Sequence, residues 1–391
     1  MATDKSASAH RLAIVGIAYL VSLAATFALV PPAAMQYDVV LPAMSAASIM
    51  LFFGPYLLAV GCTTGFLPDS WALCGLVAVL PFYIAHVVFL SVISKRTSLW
   101  QRMGRFGEGA RKATVAMIAV VSAVGVWSEL PEVTQYDLAV EASKIPVDGL
   151  RLAVVSDLHS CRYGDGQRAL IGAIRSQKPD AVLLVGDIFD DRLPDANTRT
   201  FLSGVAKEYP CFYVFGNHEY WSERIPEIKD ILLDSGVTVL EGCVRTLSVR
   251  GVEVDICGID DPTYLMDGAW LAELDHVAAA TAASSRLKIL LSHRAEYACE
   301  YEKYDFDLVF SGHLHGGQWR IPGLDVGVCG PSSGGPYSDE RMFFPRRAGG
   351  AYALNDKTTL VVSRGLARES TPLPRLFNNP ELVVVNLVPA N

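Results

Sequence analysis

His313 and His315 stand two residues apart in Ser311-Gly-His-Leu-His-Gly-Gly-Gln318, directly after the apolar run Leu308-Val309-Phe310. In an extended segment residues i and i+2 share a side, so both imidazoles would face one way. Gly312 and Gly316-Gly317 allow a sharp turn or a close backbone approach to a ligand. Two imidazoles on one side of a strand end could ligate a metal; a polar turn with two solvated histidines is the alternative. The same spacing recurs in Asp157-Leu158-His159, after the run 150–155. Gly186-Asp187 follows the run 181–185, Gly216-Asn217-His218-Glu219 follows 212–215, and Ser292-His293 follows 287–291. Six histidines lie from Leu150 onward, and five of them (159, 218, 293, 313 and 315) fall at these positions; His276, on an alanine-rich helical stretch, is the exception.

The apolar runs are read as buried strands. Between them, helical spacing is expected over 166–177, 196–207, 227–233 and 268–283. Further strands are expected at 237–240, on both sides of Arg250-Gly251, and near 351–353, 360–362 and 382–387. Strands buried on both faces and alternating with helices indicate an α/β domain with at least one mostly parallel sheet. Ligands in such sheets bind beyond the carboxyl ends of the strands. Five segments would therefore bring Asp, His, Asn and Glu to one rim.

The chain has 391 residues, 51% of them hydrophobic, with a mean hydropathy of +0.29. The apolar excess lies before about residue 130, in runs at about 12–30, 46–66, 71–93 and 113–128 that lack a polar face. These are read as four transmembrane helices. The expected organisation is a transmembrane region over 1–128, an acidic linker over 129–148 containing Pro131 and Pro146, and a catalytic domain over 149–391. Lys95, Arg96, Arg102, Arg105, Arg111 and Lys112 face a single Glu108 in the loop before the fourth run, which marks that loop as cytoplasmic. Four spans then place the domain outside a multi-pass cell membrane, inner or plasma. A formal net charge of −8 argues against a general nucleic-acid binder. The eight cysteines show no C-x-x-C spacing, so they form neither a zinc framework nor a dense disulfide scaffold.

The ordered set Asp157-x-His159, Gly186-Asp187, Gly216-Asn217-His218-Glu219, His293 and Gly312-His313-x-His315 resembles the five-block signature of the calcineurin-like metallophosphoesterases. Gly316-Gly317-Gln318, Ser363-Arg364-Gly365 and Pro380-Glu381-Leu382 resemble its membrane-associated YkuE/YaeI-like branch. The resemblance implies a four-layer α/β/β/α sandwich and a pair of divalent cations. Asp157, His159, Asp187 and His315 would hold one ion, and Asp187, Asn217, His293 and His313 the other, with Asp187 bridging. His218 would stabilise the phosphoryl group or protonate the leaving oxygen, with Glu219 orienting its ring. Glu219 departs from the Asp of many relatives outside this branch, which changes reach but not charge. Asp190 is expected to support a ligand and not to be one.

Imidazole and oxygen donors without thiolate suit Mn, Fe or Zn better than Ca. Two such ions beside two carboxylates leave a surplus of about +2, which attracts a phosphate and acidifies bound water. The expected activity is a membrane-anchored phosphohydrolase, most simply a phosphodiesterase acting on a lipid-linked or envelope phosphoester. Two alternatives stand beside it: a UDP-2,3-diacylglucosamine-type pyrophosphate hydrolase of lipid A synthesis, and a non-catalytic metal-binding membrane sensor or scaffold.

Overall fold

The computed structural model describes residues 131–320, 326–328, 330, 344–368, 370–371, 375 and 377–390. The four runs expected to span a membrane lie outside these residues. Among the described residues no helix is long and apolar enough to cross a membrane.

In chain order the first strands are β1 (Glu132–Val140), β2 (Leu150–Val155), β3 (Ala181–Val185), β4 (Cys211–Val214), β5 (Thr238–Val239) and β6 (Cys243–Val249). They are followed by β7 (Val252–Gly258), β8 (Leu287–Arg294), β9 (Leu308–Gly312), β10 (Gly350–Ala353), β11 (Thr359–Val362) and β12 (Glu381–Pro389). Two six-stranded sheets result, ordered β1-β12-β2-β3-β4-β5 and β10-β11-β9-β8-β7-β6. Strands β2 to β5 run parallel, as do β7, β8, β9 and β11. Each sheet therefore delivers several carboxyl ends to one edge.

The layers follow from the two-residue period of a strand. Leu152 and Val154 of β2 point into a core shared with Ile256, Ile289 and Phe310 of the second sheet. Ala153 and Val155 point the other way, onto Leu170, Ile174, Phe201 and Ile228 of the helices over the first sheet. Leu290, Val309 and Leu360 likewise face Trp270, Leu274 and Tyr301 on the outer side of the second. Two sheets packed face to face with helices outside each form a mixed α/β sandwich, as the strand pattern and the resemblance implied. The helix Arg168–Gln177 buries Leu170, Ile171 and Ile174, the i, i+1, i+4 stripe that seats a helix on a sheet.

The expected linker over 129–148 needs correction. Residues 132–140 form β1, which pairs parallel with β12 from Glu132 opposite Glu381 to Val140 opposite Pro389. Acidic and polar residues on its outward side gave the segment its linker-like composition. Tyr136, Leu138 and Val140 pack against the inter-sheet core. Arg364 clamps the pair, with Nε donating to Glu381 Oε1 at 2.9 Å and Nη2 to Glu132 Oε2 at 3.1 Å.

Candidate metal centre

The ends of β2 and β3 stay laced together beyond the strands. Asp157 N donates to Gly186 O at 3.0 Å, and His159 N to Asp187 O at 2.9 Å. The second sheet is stitched to the first where His313 N donates to Asp157 Oδ1 at 3.0 Å. The chain does not remain extended there. Asp157, His159, Asp187, His313 and His315 have φ of 51°, 47°, 53°, 68° and 48°. A left-handed non-glycine residue costs about 1–2 kcal/mol, so five together persist only because surrounding contacts hold them.

This geometry corrects the same-side expectation for residues two apart. His315 groups with Asp157, His159 and Asp187, whereas His313 groups with Asp187 and His293; within each group the donor atoms lie within 4.8 Å of one another. The left-handed turns aim neighbouring histidines at two different clusters, and Asp187 belongs to both. Two glycines make room for this. Gly186 has φ +75°, and a Cβ there would lie 2.5 Å from His293 Nδ1. A Cβ on Gly312 would overlap Ser156 Oγ and the Asp157 carboxylate.

The imidazoles are held by their far nitrogens. His293 Nδ1 lies 2.9 Å from Val185 O, and since a carbonyl only accepts, Nδ1 carries the proton and Nε2 keeps its lone pair. His159 Nδ1 lies 3.2 Å from Asp190 Oδ2, with the same consequence for its Nε2. Partners of this kind orient metal-binding histidines and raise their basicity. His293 Nε2 lies 3.0 Å and His159 Nε2 3.6 Å from Asp187 Oδ2, and His315 Nε2 is 3.3 Å from Asp157 Oδ1. Asn217 opens the short helix Asn217–Trp221 beside Asp187, whose Oδ1 accepts from His218 N at 2.8 Å.

His159 Nε2, Asp187 Oδ2, Asn217 Oδ1 and His293 Nε2 are all buried without a hydrogen-bond partner. Leaving a buried polar atom unpaired costs about 1–3 kcal/mol, so four at one point fit a site built to coordinate cations.

Two placements differ from the roles expected of His218 and Glu219. The His218 ring is oriented by Asp191, not by Glu219: Nδ1 lies 2.7 Å from Asp191 Oδ1 and 3.7 Å from Asp190 Oδ2. Burial works against protonation of this ring, yet Asp187 and then Asp191 push it up to about 9. Glu219 lies beneath the site. Its carboxylate accepts from Asp187 N, Phe189 N, Gly216 N and the Tyr213 hydroxyl at 3.0, 2.9, 2.9 and 2.6 Å. It fixes the backbone that carries Asp187, the aspartate common to both clusters.

Arg294, next to His293 in β8, was not foreseen. Its guanidinium grips Asp261 with Nε and Nη2 at 2.6 and 2.9 Å, and Nη1 lies 2.8 Å from His313 Nε2. Burial and then this cation hold His313 well below the ordinary imidazole value, so the ring is neutral in this arrangement. A charged residue directly after a strand-end histidine was the available signal; its partner Asp261 is remote in sequence.

The family model for calcineurin-like phosphoesterases matches residues 150–317. An uncharacterized metallophosphoesterase of Campylobacter jejuni is 28% identical over 303 residues, covering 77% of this chain and 75% of that protein. The uncharacterized metallophosphoesterase YkuE of Bacillus subtilis is 28% identical over 263 residues, covering 64% of this chain and 84% of its own. Phosphodiesterase YaeI of Escherichia coli is 31% identical over 150 residues, covering 37% of this chain and 52% of that protein. Residues 150–317, which carry the strand ends of both clusters, form a calcineurin-like phosphoesterase domain, of the family of metal-dependent hydrolases of phosphoesters.

Proposed function

We propose that this chain hydrolyses phosphodiesters with a pair of divalent cations, Mn, Fe or Zn, and that its substrate is a lipid-linked or envelope phosphoester at a membrane surface. The observation that carries the dinuclear reading is the sharing of Asp187 by two clusters, with His159 Nε2, Asp187 Oδ2, Asn217 Oδ1 and His293 Nε2 buried without a hydrogen-bond partner. One ion would be held by Asp157, His159, Asp187 and His315, the other by Asp187, Asn217, His293 and His313. Bound there, such a pair supplies Lewis acidity toward phosphoryl oxygen and a nucleophile from water.

The chain's own residues do the rest. Asp190 fixes the His159 ring and the Val185 carbonyl fixes the His293 ring, so neither turns its lone pair away. Asp191 holds the His218 Nδ1 proton, which leaves Nε2 to serve the leaving oxygen as a proton donor or hydrogen-bond partner. The His218 side chain is 24% exposed, so substrate can reach it.

The diester preference is supported by the relative named a phosphodiesterase, and the membrane setting by the four apolar runs before residue 130. Metal analysis and turnover of bis(p-nitrophenyl) phosphate test the core of the proposal. The loaded chain should carry two ions and turn over, and His218→Ala should keep both ions while losing turnover. One ion per chain, or unaltered turnover in His218→Ala, would defeat it.

A further inference from the structure

Trp221 is 55% exposed, and its ring centroid stands 4.7 Å from that of His218 at an interplanar angle of 58°. His218 is itself the most accessible imidazole of the site, at 24% of its side chain against 12% for His315 and 6% or less for His159, His293 and His313. The two residues are i and i+3 on the helix Asn217–Trp221, so they share a face. That turn is fixed at its start, where Gly216 N donates to Glu219 and His218 N to Asp187. The indole is therefore held against the imidazole.

A second exposed ring packs on Tyr220, the residue before Trp221. Tyr264, 63% exposed, stacks on Tyr220 with centroids 4.7 Å apart and planes 6° from parallel. Its loop is tied to the second cluster through Thr263 Oγ1, which accepts from Arg294 Nη2 at 2.6 Å. Among the described residues, the rings that touch His218 are His159, which faces the cations' place, and Trp221, which faces out.

We propose that Trp221 binds the leaving group, and that the leaving group carries a flat aromatic or heteroaromatic ring close to phosphorus. The inference rests on the phosphohydrolase reading above and narrows its substrate class. The leaving oxygen must come within about 3 Å of His218 Nε2. The atoms attached to it then pass over the exposed face of the indole. A planar ring gains stacking there beyond the area it buries, which an alkyl chain does not. The apolar part of a lipid-linked ester would lie on the other side of phosphorus.

The test is calorimetric binding of phenylphosphonate, methylphosphonate and hexylphosphonate to the full, metal-loaded chain, for the wild type, Trp221→Ala and Trp221→Phe. The wild type should bind phenylphosphonate roughly 3- to 10-fold tighter than methylphosphonate. Trp221→Ala should erase that preference with methylphosphonate affinity unchanged, and Trp221→Phe should keep most of it. The proposal is overturned if the preference survives Trp221→Ala, or if hexylphosphonate gains and loses as much as phenylphosphonate. Because Trp221→Phe keeps a ring, it remains informative should Trp221→Ala fold poorly. Hydrolysis of bis(p-nitrophenyl) phosphate by the same preparations separates the two readings. A ring preference without turnover sinks only the phosphohydrolase reading, and turnover without a ring preference sinks only this one.

Discussion

Asp191 Oδ1 lies 2.7 Å from His218 Nδ1, closer than any other carboxylate oxygen to that ring. Asp191 therefore sets which imidazole nitrogen faces the substrate. Asp191→Ala should lower kcat about 10- to 100-fold, the usual cost of losing an orienting partner. Both metal ions should remain bound, because neither cluster uses Asp191 or His218. Asp191→Asn keeps an acceptor for the Nδ1 proton and should recover much of the rate. Loss of metal in Asp191→Ala, measured by elemental analysis, would contradict this assignment.

Glu219 makes a different prediction, because it receives four buried donors and touches no imidazole nitrogen. Glu219→Ala strands those donors at about 1 kcal/mol or more each, so unfolding free energy should fall by roughly 3–5 kcal/mol. Metal affinity should weaken about 10- to 100-fold as the Asp187 backbone loosens. The shape of the pH–rate profile should not change. A profile that moved while stability and metal affinity stayed put would return Glu219 to a direct role in proton transfer.

Asp260 provides a pH dependence away from the site. It is 6% exposed, and its Oδ1 lacks a hydrogen-bond partner. Burial, and then the nearby Glu273 carboxylate, push its pKa from 3.8 up to about 7. Between those values the folded chain holds a proton that the unfolded chain has released. Stability must then decline as pH rises from about 4 to about 7, by a few kcal/mol at most. Asp260→Asn removes that decline, so the variant should gain on the wild type between about pH 4 and 7 in urea unfolding. A constant offset between the two proteins across that interval would contradict the assigned shift.

The layout of the candidate site was legible in the sequence wherever a polar residue ended an apolar run. Asp157, Asp187, Asn217, His218, His293, His313 and His315 all lie at the carboxyl ends of strands, as their spacing required. The aim of the side chains was not legible. Period-two reasoning holds for extended backbone, and left-handed φ at Asp157, His159, His313 and His315 breaks it. The partners of His218 and His313 escaped for another reason. Asp191 sat beside an acid already given a supporting role, and Asp261 reaches Arg294 from 33 residues away. Strand β1 was missed because its pairing partner lies about 250 residues along the chain, beyond any local pattern.

The shared position of Asp187 leads to a prediction that separates one bridged site from two independent ones. Ions that bind the native chain and not the unfolded one stabilise it by about 2.7 kcal/mol per site at a hundredfold excess over Kd. They should also relieve the repulsion between Asp157 and Asp187, both buried to within 1%. Chelation should therefore lower the unfolding midpoint of the wild type markedly. His315→Ala removes a donor from one cluster and His293→Ala from the other, so each should keep one tight equivalent of Mn and part of the midpoint response. Asp187→Asn leaves the shape intact but weakens both clusters at once. It should bind neither ion tightly, and its midpoint should be insensitive to chelator. A single tight equivalent surviving in Asp187→Asn, measured by calorimetric titration, would mean that the clusters do not share this carboxylate and that the bridged arrangement is wrong.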